Sequence, residues 1–230
     1  MTTTVSNTSV DRSTPTTRRG TLIAAAVGFL LLYVSVDFVA PNLASSSLPL
    51  PNEPVGDTKN WYAENQLAAV VQAALQFLSV SALAVFVTRH GRLSTSPRQI
   101  SAASRATPWG LVAVGLMMLA SSLAWVLAAV APDASLDAVS VLRTANFISG
   151  GTAHVLALGI FAVLASRIPG TTKPVRVLGY VAAVPAVLSL SSLIVFEGAA
   201  FILLGRLLCM IWAISAAVSV TRRLARGEWQ

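Results

Sequence analysis

Charge is scarce in this chain. Of its 230 residues only 11% are Asp, Glu, Lys or Arg, against a hydrophobic share of 55%. A soluble domain usually carries about 25% charged residues. A mostly water-facing surface is therefore excluded, and a mean hydropathy of +0.72 makes lipid the expected solvent. Cysteine is limited to Cys209, inside an apolar run, which excludes an intrachain disulfide and any paired-cysteine metal spacing. Histidine is limited to His90 and His154, at different depths of two apolar runs, so they make no haem pair and no usual metal set. There is no His-Glu-x-x-His pattern, no Gly-x-Ser-x-Gly elbow and no phosphate loop ending in Gly-Lys-Ser/Thr. Catalysis thus has no motif, although a few Asp, Glu and Arg residues suffice for lipid chemistry at a membrane surface. No cofactor is expected.

Lysine is almost absent as well (Lys59 and Lys173), while Arg, Ala and Val abound, the bias of a GC-rich bacterial genome such as an actinobacterium's. The net charge is +7 and the pI about 10.8. Nucleic acid is nevertheless not the expected partner, because the cations sit in short segments between apolar runs rather than on one soluble face.

What the chain does have is six long apolar runs, at residues 21–40, 67–88, 109–130, 145–165, 177–196 and 199–220. Each holds about 20 residues, which at 1.5 Å per residue matches a hydrocarbon core of about 30 Å. Barrel strands would be about 10 residues with alternating polarity, and that pattern is missing. The expected fold is all-α: a polytopic membrane helix bundle with six transmembrane helices. Residues 1–17, rich in Thr, Ser, Asn and Pro, read as a disordered tail before Arg18 and Arg19. The first run is too long for a typical signal-peptide core of about 7–15 residues, so it is expected to remain as a helix. A 221–230 tail closes the chain.

The loops set the expected orientation. Arg12, Arg18, Arg19, Arg89, Arg92, Arg98, Arg105, Arg167, Lys173, Arg176, Arg222, Arg223 and Arg226 fall in four segments that alternate with three carrying only Lys59 and Arg143. Glu53, Asp57, Glu64, Asp133, Asp137 and Glu197 lie on the Lys59 side. One end of the bundle is thus basic and the other acidic. The positive-inside rule puts the basic end, with both chain ends, in the cytoplasm. The cytoplasmic membrane is the expected location. The longest excursion, residues 41–66, carries Pro49, Pro51 and Pro54 and then Trp61 and Tyr62. It reads as an extended connector with aromatics at headgroup level, or else as a lid. Between the last two runs, Glu197 and Gly198 leave room only for a tight hairpin.

Polar groups within spans are expected to face the bundle interior. In the fourth run Arg143, Asn146, Gly150 and His154 follow at spacings of three, four and four, one helical face. In the second and its approach, Asn65, Gln72, Gln76 and Ser79 follow at seven, four and three, again on one face. Each face reads either as interhelical packing and hydrogen bonding or as the lining of a polar path. Arg206 lies seven residues into the last run, where an arginine near the bilayer centre costs about 2.5–3.5 kcal/mol on insertion scales. Its expected partner is Asp37, in the acidic-end third of the first run. Glu197, nine residues earlier, is half a turn out of phase.

The stretch from Arg167-Ile168-Pro169 through Val175-Arg176-Val177-Leu178-Gly179 to Leu204-Gly205-Arg206-Leu207-Leu208, Ile211-Trp212 and Arg222-Arg223 resembles bacterial multi-pass proteins of the actinobacterial type. Those families are grouped as domains of unknown function, so the resemblance implies a six-helix bundle and no mechanism. Three functional readings remain. The first is a non-enzymatic accessory or regulatory subunit that binds lipid, a membrane-protein partner or its own copies. It is motivated by small-residue surfaces at Ala69 and Ala73 and at 213–217. The second is a small transporter or channel lined by the second and fourth helices, with Pro185 as a kink. The third is an enzyme acting on lipid with Asp37, Arg143, Glu197 or Arg206.

Overall fold

The computed structural model describes residues 15–229, with side chains from Gly20 onward. Among the described residues there is no strand, and six helical segments are long and apolar enough to cross a membrane: Gly20–Leu43, Gln66–Arg92, Pro97–Val130, Leu136–Ser166, Lys173–Leu193 and Phe196–Ala225. The protein is a multi-pass all-α membrane bundle. Its outward side chains suit lipid: Leu31, Leu78, Leu119, Val184 and Leu203 are all more than half or about half exposed.

The elements are α1 (Pro15–Leu43), α2 (Val55–Glu64), α3 (Gln66–Arg92), α4 (Pro97–Val130), α5 (Leu136–Asn146), a π-helical segment (Phe147–Ala153), α6 (His154–Ser166), α7 (Lys173–Leu188) and α8 (Ala199–Ala225). Consecutive long helices pack side by side, and α8 closes the ring by touching α1, α6 and α7. The expected disordered tail lies outside the described residues for 1–14, whereas Pro15 to Arg19 already belong to α1.

Local chemistry extends several helices past their apolar runs. The fourth element begins twelve residues before Trp109 because Ser96 caps it: its hydroxyl accepts from the Gln99 amide while the Gln99 side chain accepts from the Ser96 amide, with Pro97 in the first turn. Ser135 caps α5 by accepting from the Ala138 amide at 3.3 Å, so the fourth span starts at Leu136. Pro185 removes an amide donor near the end of α7, and the chain then tightens into 3₁₀ turns at Ser189–Leu193 and Phe196–Gly198.

The long excursion is a folded cap and not an extended connector. Pro54 precedes α2, and Trp61 and Tyr62 are buried in the protein. Both pack with Ala68, Ala69, Leu127 and Val139, and the Trp61 indole donates to Ser46 O at 2.9 Å. Burial pushes the Tyr62 phenol up to about 12. Lys59 Nζ donates to Ala134 O at 2.7 Å, tying this cap to the next acidic-end loop.

The basic end is closed differently. Phe86, Phe161 and Trp212, from α3, α6 and α8, meet edge to face with centroids 5.5–6.2 Å apart. All three are essentially inaccessible, and the Trp212 indole donates to Ser166 Oγ at 2.8 Å. Beyond them the expected tail is folded too over residues 221–229. Trp229 is buried against Gly170, whose φ of +95° only glycine adopts readily, and its indole donates to Leu93 O at 2.9 Å. Arg223 donates to Gly170 O, and Gln99 Nε2 to Pro169 O at 3.0 Å.

Candidate functional site

Arg206 is the centre of the polar interior. Seven residues into α8, about 10 Å along its axis, its side chain is buried at 6% exposure. Nη1 donates to the Tyr33 hydroxyl at 2.6 Å, and the guanidinium carbon lies 4.8 Å from the centroid of that ring. Nη2 donates to Gly150 O. The Nε atom is buried with no partner.

The expected Asp37–Arg206 ion pair does not form. Among the described residues, ion pairs are confined to Arg223 and Arg226 with Glu228. The reason is local. An arginine reaching from α8 towards α1 meets Tyr33 first, and Asp37 stands one turn further towards the acidic end, exposed. Arg206 is therefore a buried cation satisfied by a phenol and a peptide carbonyl, with no carboxylate against it.

The π-helical segment supplies that carbonyl. Its wider turn bonds the His154 amide back to Ser149 O, and such turns recur at functional sites. Glycine is required at the contact: a Cβ on Gly150 would stand 2.6 Å from the Ala120 Cβ. On either side, polar side chains dock on α4. Asn146 Nδ2 donates to Ala120 O at 2.7 Å and His154 Nδ1 to Ala113 O at 2.8 Å. This fixes the Nδ1–H tautomer and leaves Nε2 buried without a partner. Arg143 leaves this face. It turns to the α2 cap, donating to Glu53 O at 2.9 Å and Thr58 Oγ1 at 3.0 Å.

Beside Arg206 is a cavity of about 240 Å³. Tyr33, Gln76, Asn146 and Arg206 make its polar wall, and Met117, Phe147, Ile202 and Leu203 its apolar one. Leu203 is 51% exposed, so the cavity reaches the lipid-facing side of α8. One turn out from Tyr33 and Gln76 stand Asp37 and Gln72, which line a larger cavity of about 450 Å³ together with Trp61 and Ser45 to Ser47. A third, of about 230 Å³, is lined by Arg143, Thr144 and Ser192 and shares Phe147 with the first.

Of the residues singled out from sequence, Gln76, Asn146 and Arg206 come together at one cavity. Asp37 and Gln72 line the cavity a turn outward, Arg143 a third, and His154 is packed away from all three. The two glutamines do not make the interhelical hydrogen bonds expected of them. Ser79 does, donating to Phe29 O at 2.7 Å. Tyr33 and Phe147 were missed. Tyr33 had a signal, being four residues before Asp37 on the same face of the first span. Phe147 had none, because the π turn that re-aims it is invisible to a 3.6-residue period. No group of three or more His, Cys, Asp or Glu side chains able to hold a metal occurs among the described residues. No family model, curated protein or solved structure matches the chain.

Proposed function

We propose that the protein is a non-enzymatic membrane subunit that binds an amphiphile through an anionic head group, phosphate or carboxylate, at Arg206. In this reading the basic end is cytoplasmic, the membrane is a bacterial cytoplasmic membrane, and the cavity lies in its outer-leaflet half. The observation that carries it is the uncompensated cation. A buried arginine without a counter-ion in a membrane is costly, and here it borders a cavity rather than a carboxylate. An anion seated there completes the charge balance, with Tyr33, Gln76 and Asn146 as further polar contacts and Leu203 marking the exit for a chain.

The test is native mass spectrometry of the protein released from lipid nanodiscs. Retention of a phosphate- or carboxylate-bearing amphiphile by the wild type and its loss in Arg206→Gln supports the reading; equal retention by both removes it. A second reading, a small transporter, draws on the cavities stacked towards the acidic end above a sealed aromatic layer. It requires the contacts of Phe86, Phe161 and Trp212 to part, so a disulfide or crosslink across that layer would abolish transport and leave binding intact.

A further inference from the structure

Asp37 and Arg206 are opposite charges that do not meet, on adjacent levels of one interhelical region. Tyr33 and Gln76 flank the inner level, and Asp37 and Gln72 the outer. Position 37 follows 33 by one turn of α1, and 72 precedes 76 by one turn of the antiparallel α3, so the levels differ by about one helical pitch of 5.4 Å. At the inner level the charge is cationic, the Arg206 guanidinium, with the Tyr33 hydroxyl and the Gln76 amide beside it. At the outer level it is a carboxylate with no ion-pair partner among the described residues.

Building on the reading above, we propose that the head group is zwitterionic: a phosphate at Arg206 with a primary ammonium at Asp37, as in an aminophospholipid. An ethanolamine phosphate separates its two charges by an oxygen and two carbons, a span comparable with one helical turn. The order also fits a lipid. The ammonium lies nearer the acidic-end surface and the phosphate deeper, and Leu203 opens the Arg206 cavity sideways to the lipid-facing side of α8. A purely anionic lipid would satisfy Arg206 but set its glycerol or hydroxyl beside Asp37, leaving that carboxylate without a cation. The ammonium's three donors are matched by the Asp37 carboxylate and the Gln72 amide oxygen.

The test uses the full chain in nanodiscs of equimolar phosphatidylethanolamine and phosphatidylglycerol, with bound lipid counted by native mass spectrometry. The wild type is expected to retain phosphatidylethanolamine about fivefold over phosphatidylglycerol, the worth of one partly exposed ion pair. Asp37→Asn should erase that preference while total bound phospholipid stays the same, and Asp37→Glu should keep it. No preference in the wild type, or an unchanged preference in Asp37→Asn, overturns the zwitterionic assignment and leaves binding at Arg206 standing. If Arg206→Gln keeps its lipid, the underlying reading is what fails. Asp37 is exposed and makes no tertiary ion pair, so both of its variants are expected to fold.

Discussion

The two halves of the bundle solve the same packing problem in opposite ways. Towards the basic end, α3, α6 and α8 meet through Phe86, Phe161 and Trp212, whose rings fill the interior, and Trp229 seals the loops behind them. Towards the acidic end the interior is lined instead by Tyr33, Gln76, Asn146 and Arg206, from α1, α3, α5 and α8, with cavities of about 240 and 450 Å³. One half has large rings at its centre, and its charges gather outside them, around a cavity of about 560 Å³ lined by Arg222, Arg223, Arg226 and Glu228. The other has a cation, an unpaired carboxylate and space. Close ring packing thus marks one end of the interior, and a polar cavity beside a buried cation the other.

That contrast can be broken at its strong side first. Trp212→Ala empties the aromatic layer and frees the Ser166 hydroxyl, and should cost about 3–5 kcal/mol, read as a large drop in the unfolding midpoint in detergent. If the bundle tolerates it, the basic-end half does not hold the fold. Gly205→Ala probes the boundary between halves. Its Cβ would come within 2.9 Å of Ala186 N and of Val155 Cγ1, so about 1–3 kcal/mol of overpacking is expected by the same measurement. On the open side, Ser79→Ala removes the hydroxyl that ties α3 to α1, an interhelical bond of about 0.6 kcal/mol. Gln76→Ala, against an existing cavity, should shift stability by less than about 0.5 kcal/mol, while lowering retention of the Arg206 ligand. A larger stability loss would mean that this wall is packed.

The smallest effect at neutral pH concerns the α2 cap. The Tyr62 phenol is raised from 10.0 to about 12 by burial, so folding favours its neutral form. That contribution is complete below pH 10 and is lost as pH climbs from 10 towards 12. Absorbance titration of tyrosinate should show one residue ionising only in the upper part of that window.

Hydropathy made the spans legible, because lipid demands about 20 apolar residues per crossing whatever the partners are. It could not show the folded connectors. The helix at 55–64 is polar by composition and held by Trp61 to Ser46 and by Arg143 to Thr58, contacts 15 and 85 residues apart in sequence. The capping box at Ser96 and Gln99 was readable in principle, and it extends α4 well outside the apolar run. The site was half legible. Spacing alone grouped Gln76 with Gln72 and Asn146 with His154, and depth marked Arg206. The choice of partner failed because a search for opposite charge passed over a phenol one turn closer, and because a uniform 3.6-residue pitch was assumed through Phe147 to Ala153.

That change of pitch has a consequence for the gene. A seven-residue π segment is what an ordinary helix becomes when it carries one residue more than its neighbours can accommodate. Deleting a single codon between Phe147 and Ala153 would let the fourth span run as a continuous α-helix, with Asn146 and His154 seven residues apart and still on one face. What would go is the wide turn that presents the Gly150 carbonyl to Arg206. A single in-frame triplet thus separates a helix that offers Arg206 this acceptor through a π turn from one that lacks the turn.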